Sequence, residues 1–181
     1  ECFAQLGFER ATNRAIASAC GLTAAAVYRH FDSKPDLYVA VMRDADAEVV
    51  PQMREAIASE RSPRAALQKL MVTFANEEHY RAAGVRFLSA IPSEMQRHPE
   101  IAKRVLTQPG ETFALMTELV EACVRAGEIP SDKAQNLLAL YVAMLIGLST
   151  YSSAVGYAQG ELAVAGFADL LSESLFTRAE A

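Results

Sequence analysis

Apolar residues recur at intervals of three and four along nearly the whole chain. No stretch alternates apolar and polar positions as a half-buried strand would, so the pattern predicts an all-helical protein. Helices are expected near 1–6, 13–20, 24–31, 34–49, 52–60, 63–80, 84–97, 99–107, 111–126, 132–155 and 161–177. Glycine and proline supply the breaks, at Gly7, Gly21, Pro51, Pro63, Pro99, Pro109-Gly110, Gly127, Pro130, Gly156 and Gly160. Thr12, Thr23, Ser33, Ser62 and Ser131 stand where a side-chain oxygen would accept from an unpaired first-turn amide. Ser33 and Asp36 have the spacing of a capping box, with Pro35 in the first turn where its missing N–H is no loss.

Helix length divides the chain in two. Up to Ser33 the expected helices are very short, and short helices are marginal in water unless they pack on one another. From Lys34 onward they are long and more apolar. The division predicts a compact N-terminal unit over 1–38 and a larger helical body over 39–181. The run Leu137–Leu148 is the most apolar. It is shorter than the roughly 20 residues that span a bilayer, and serines follow it, so it is expected as a buried helix and no membrane partner is expected.

Composition adds little to the fold and more to the class. The chain has 181 residues, 51% of them hydrophobic, with a net charge of −5 and a pI near 5.3. An acidic total argues against nonspecific polyanion binding but leaves a local basic patch open. Cys2, Cys20 and Cys123 are odd in number and lack metal-ligand spacing, so neither a disulfide framework nor a zinc site is expected. A reducing, cytoplasmic setting fits best. The chain opens without methionine and apparently inside a helix, so a preceding segment is expected. No nucleophile elbow, phosphate loop, paired catalytic acids or ligand cluster occurs, so no catalytic residue, metal or cofactor is assigned and an enzyme is not expected.

Chemistry concentrates in TNRAIASACGLTAAAVYRHFDSK, Thr12 to Lys34. Two short helices joined through a glycine have the form of a helix-turn-helix. Gly21 can take the left-handed conformation that ends the first helix, Leu22 then turns inward, and Thr23 starts the next. Ile16, Cys20, Val27 and Phe31 are spaced to share a core. On the second helix Ala25 and Arg29 then point outward, with Tyr28 and Ala26 beside them. Alanines allow close approach to a groove and offer methyls to thymine. Tyr28, Arg29 and His30 can reach phosphates or base edges, and the helix starts at Thr12 and Ser33 attract anions. Lys34 is a cation at such a start, which a bound phosphate would favour. The charges over 1–38 cancel, so a helical corner with a solvated basic tip is the competing reading at this level.

GLTAAAVYRHFDSKPDL, with TNRAIASACG and FAQLGF before it, resembles the DNA-binding domain of the TetR (tetracycline repressor) family. The matching features are Gly7-Phe8, Thr12 with Ile16-Ala17, Ala19-Cys20-Gly21-Leu22, Tyr28-Arg29-His30-Phe31, and Ser33-Lys34 with Leu37. They run in the family's order over about residues 3–38. The resemblance implies that Arg14, Ala24, Ala25 and Tyr28 face base edges, and that Asn13, Ala26, Arg29, His30 and Lys34 meet the backbone beside the caps Thr12 and Thr23. Ala25 stands where the family often has glycine, and Ala26 where it often has a phosphate-binding hydroxyl. Discrimination would then fall mainly on Arg14 and Arg29.

A helix-turn-helix generally reads a palindrome as a dimer. The resemblance implies that the last two helices pair with their two-fold mates, through Leu148, Tyr151, Phe167, Leu170, Leu171 and Ser174. Gly147, Ala154 and Gly156 would permit close approach there. It also implies a cavity in the middle helices for a small apolar or amphipathic effector, with Met71, Phe74, Phe87, Met95, Phe113, Met116, Tyr141 and Met144 as lining. His79, Arg86, Glu94 and His98 are expected as exposed helix residues or caps, with a polar pocket role as the alternative. The whole is thus expected to be a ligand-responsive repressor that binds double-stranded operator DNA as a homodimer. The rival is a helical adaptor or small-molecule-binding protein that does not act through DNA.

Overall fold

The computed structural model describes residues 1–75 and 83–171, which are helical with no strand among them. The helices are α1 (Cys2–Arg10), α2 (Asn13–Ala19), α3 (Ala24–Tyr28), α4 (Lys34–Ala58), α5 (Pro63–Ala75), α6 (Ala83–Arg97), α7 (Pro99–Thr107), α8 (Glu111–Arg125), α9 (Ala134–Val155) and α10 (Tyr157–Leu171). They form two compact units. One holds Glu1–Pro51 with Ala82–Leu115, and the other Gln52–Arg81 with Met116–Ala181.

Several boundaries differ from the sequence pattern for physical reasons. Pro51 lies inside α4, which runs unbroken through the expected stop. An interior proline costs about 3 kcal/mol, but Val49, Val50, Met53 and Ala56 on either side are buried and hold the helix together. Gly160 lies within α10, which starts at Tyr157 rather than near residue 161. Ser131 opens a 3₁₀ turn, Ser131–Lys133, without a side-chain cap, and α9 starts at Ala134. The part of the helix expected to end near residue 80, and the expected end near 177, lie outside the described residues. Ser62 caps α5 as its position suggests, accepting from Ala65 N at 3.2 Å.

The first unit is built around an aromatic cluster. The Tyr38 ring meets Phe3 edge-on at 5.0 Å, Phe8 edge-on at 5.5 Å and Phe87 at 4.8 Å between centroids. Leu37, Met42, Ile91 and Ile101 extend this core. The Tyr38 hydroxyl is buried without a hydrogen-bond partner, and burial holds it in the phenol form.

Polar clamps fasten the first half of α4 to α7 and α8. Asp36 binds Ser33 reciprocally, its own N–H donating to Ser33 Oγ at 3.3 Å and its carboxylate accepting from that hydroxyl. Arg104 Nε donates to Asp36 Oδ1 at 2.6 Å, and Arg43 donates to Gln108. Asp46, only 3% exposed, accepts from Glu111 N at 2.9 Å and from the Thr112 hydroxyl.

The Ser33 and Arg104 bonds hold the Asp36 carboxyl below its ordinary 3.8. A depressed folded-state value adds stability above the unfolded value, and that stability disappears as pH falls through the folded one. Asp36→Asn should therefore melt earlier than the parent at pH 7, and the two should converge as the pH is lowered below 3.8. A gap that persisted unchanged into acid would rule out this ionic contribution.

In the second unit α9 packs on α10, and both pack on α5. Tyr141 is buried and its hydroxyl donates to the Leu67 carbonyl at 3.1 Å. The stretch Leu137–Leu148, expected as a buried helix, is otherwise not enclosed: Leu140 is half exposed and only Tyr141 is buried. By length and composition alone Ser131–Ser152 could cross a membrane. Its outer side has nothing from the described chain to pack on. Within the chain, close approach occurs at Gly160. Gly147 and Gly156 have open space, whereas a Cβ on Gly160 would lie 2.0 Å from Ser152 Oγ.

Candidate nucleic-acid interface

α2 and α3 are short because each is closed at both ends by local bonds. Thr12 Oγ1 accepts from Ala15 N at 3.1 Å, and Thr23 Oγ1 accepts from Ala26 N at 3.2 Å. α2 stops where Gly21 turns left-handed, at φ 67°. The Leu22 N–H then reaches back to the Ala17 carbonyl at 2.8 Å and the Gly21 N–H to Ser18 at 3.1 Å, a Schellman ending. Nothing crowds the place of a Gly21 Cβ, so its requirement is one of backbone conformation alone.

The turn presents α3 as expected on one side and differently on the other. Ile16 and Val27 are buried, and Phe31 packs partly buried against the same core. Cys20 is exposed instead of sharing it, and Leu22 is 53% exposed instead of turning inward. The Schellman turn carries Leu22 past the end of α2 onto the outer surface, which helical spacing alone does not reveal.

Ala25, Tyr28, Arg29 and His30 are exposed on and just after α3, and Ala24 and Ala26 are partly covered. Arg14 is exposed and Asn13 partly covered at the start of α2. These predicted residues are therefore at least partly accessible on two adjoining helices with capped starts. Lys34 differs from the picture of a phosphate ligand. Its Nζ donates to the Glu9 carbonyl at 3.1 Å and sits 4.4 Å over the Phe8 ring. The ammonium so stabilises the C-terminal end of α1, where backbone carbonyls lack partners.

Residues 1–41 match the family of bacterial regulatory proteins called tetR. Over that N-terminal segment the chain is similar to the tetR family. Over 71 residues it is 35% identical to the HTH-type transcriptional repressor KstR2 of Rhodococcus jostii, covering 39% of this chain. The match spans only 35% of that relative's length. A second relative, the HTH-type transcriptional repressor Rv1474c of Mycobacterium tuberculosis, is 22% identical over 145 residues, 80% of this chain and 72% of the relative. A tetR-family regulatory protein from Rhodococcus RHA1 shares the fold with a TM-score of 0.64 at 18% identity, over 98% of this chain and 92% of the other. Both curated relatives are named as transcriptional repressors.

The chain does not gather the eight predicted pocket residues in one unit. Phe87 and Met95 belong to the aromatic core of the first unit, and Phe113 there is 43% exposed. Met71, Met116 and Tyr141 are buried in the second, with Met144 partly covered. Phe74 lies outside the described side chains. A cavity of about 210 Å³ in the second unit is lined instead by Arg64, Leu67, Gln68, Cys123, Glu128, Ile129 and Leu137. Burial pushes the Cys123 thiol up to about 11, which keeps it neutral there. Of the predicted interface residues, Tyr151 is 44% exposed, and Leu148 and Phe167 are partly covered. Leu170, Leu171 and Ser174 fall outside the described side chains.

Sequence reasoning did not find Asp46 or Arg104, and it expected Glu94 and His98 as exposed helix residues or caps, with a polar pocket role as the alternative; His98 does hold the N-cap position of α7, without a side-chain cap bond. Glu94 and His98 are both buried, at 4% and 8% exposure. A His four residues after a Glu puts both on one helical face, and that spacing was the available signal.

Proposed function

We propose that this protein is a tetR-family transcriptional repressor that binds a palindromic operator as a homodimer and is released by a small apolar or amphipathic effector. The observation that carries the proposal is the exposed surface of Ala25, Tyr28, Arg29 and His30, held out by the Schellman turn and anchored by buried Val27 and Ile16. Methyls, an aromatic hydroxyl and a guanidinium suit a major groove edge and its flanking phosphates. Both relatives named above are called transcriptional repressors.

The outer side of α9 and α10 supports a second copy as the dimer partner. Leu140, Tyr151, Val155 and Leu162 are large apolar residues left exposed there. The second-unit cavity has mainly apolar walls, which favours an effector of that character. Cytoplasmic residence follows from the same function.

The test is an electrophoretic shift assay on duplexes selected by the protein from a randomised pool. Tyr28→Ala and Arg14→Ala should weaken binding by about tenfold or more, as loss of a base contact costs about 1–3 kcal/mol. Arg29→Ala should reduce the slope of log K against log salt by about one. Failure to enrich any duplex would favour the adaptor alternative.

A further inference from the structure

The junction of α1 with α6 contains a buried charge that DNA contact does not explain. Glu94 projects from α6 and is 4% exposed. Its Oε1 accepts from the Phe8 backbone N–H at 3.2 Å, across 86 positions of sequence, and from Arg97 Nη2 at 3.2 Å. Its Oε2 faces His98 Nε2 at 3.5 Å, while Glu9 and Glu100 face His98 Nδ1 at 3.7 and 3.5 Å.

The Phe8 amide is offered because α1 is kinked one residue earlier. Gly7 has φ 72° and ψ 172°, outside the helical region, so the Phe8 N–H points away from the helix ladder. A Cβ on Gly7 would lie 3.1 Å from Glu94 Oε1, so kink and carboxylate fit each other closely. Phe8 then connects outward in two directions. Its ring lies 4.7 Å from the His98 ring, and it also carries the Lys34 ammonium, 4.4 Å from its centroid. Lys34 opens α4 and follows directly on the segment that carries Tyr28, Arg29 and His30.

We propose that Glu94 is a positioning residue for operator recognition: by holding the Phe8 amide it fixes the kinked end of α1, and through Phe8 and Lys34 it sets the pose of the helix-turn-helix. Glu94 touches no base or phosphate in this scheme. A buried amide left without an acceptor is costly, so losing Glu94 lets the end of α1 swing to find water, and Lys34 loses its seat on Phe8. The inference rests on the DNA-binding reading above.

The test compares Glu94→Leu, Glu94→Gln and Ile101→Val with the parent, on a duplex selected by the parent protein. Ile101 is fully buried in the same unit but is not part of the tie, so its variant reports ordinary destabilisation. All four proteins are assayed at a temperature where circular dichroism shows them folded. Glu94→Leu should raise the dissociation constant about tenfold, within the usual range of coupling between sites. Glu94→Gln, which keeps an amide oxygen for Phe8, should recover most of that loss. Ile101→Val should stay within about twofold of the parent while melting earlier. In the free proteins, hydrogen exchange at the Phe8 amide should quicken in Glu94→Leu and not in Ile101→Val. Parent-like affinity and exchange in Glu94→Leu, or equal losses in Glu94→Leu and Glu94→Gln, would overturn the positioning role. If the parent binds no duplex the operator reading fails instead, and the exchange measurement still decides whether Glu94 holds Phe8.

Discussion

Gly160→Ala should lower stability by about 2–3 kcal/mol, or roughly 5–10 °C in melting temperature. The sign is the informative part, since glycine to alanine inside an exposed helix normally gains about 1 kcal/mol. Here α10 crosses α9 at Gly160, which is buried. An added Cβ would fall 2.0 Å from Ser152 Oγ and 2.9 Å from Ser152 Cβ. The hydroxyl can rotate, but the Cβ cannot, so the helices must separate. Separation would also displace the exposed Tyr151 and Leu162 of the proposed dimer face, and sedimentation should report a weaker dimer. The Ser152 Cα would be 3.6 Å away, an ordinary contact. The double variant Gly160→Ala/Ser152→Gly should therefore be more stable than Gly160→Ala alone. Denaturant titration of Gly160→Ala, Ser152→Gly and the double variant settles the point, and additive losses would refute the steric cause.

Asp46→Ala should cost about 2–3 kcal/mol, because it removes a helix cap and takes the acceptor from two part-buried donors. The Asp46 carboxylate receives the Glu111 N–H and the Thr112 hydroxyl at the start of α8, where the helix dipole also favours a negative charge. Gly110 leaves the room this requires, for a Cβ there would stand 2.1 Å from Asp46 Oδ2. Gly110→Ala should thus be destabilising in the parent and close to neutral in Asp46→Ala. Equilibrium unfolding in urea measures all three, with hydrogen exchange at Glu111 as the local probe. A Gly110→Ala loss that persisted without Asp46 would show that backbone strain, not the carboxylate, is responsible.

The exposed surface of α2 and α3 was legible in the sequence because its determinants are local. Thr12 and Thr23 cap helices that begin one residue later, Gly21 supplies the one conformation that closes α2, and Val27 against Tyr28 and Arg29 follows from helical spacing. The same local logic found Ser33 with Asp36 and Ser62. It failed at Cys20, which helical spacing placed in the core, and at Leu22, expected to turn inward after Gly21, because the turn leaves the helical path between them.

By itself the sequence determined an all-helical chain, a capped helix-turn-helix at its start and the outward residues of α3, since each depends on neighbours within about one turn. Only the tertiary structure decided that α4 passes through Pro51, that Lys34 serves α1, and that Asp46, Glu94 and Arg104 make the long-range ties. Those outcomes depend on partners 25 to 86 positions away. A carboxylate on a helix looks the same in sequence whether water or a buried amide lies opposite it, and only packing supplies the difference.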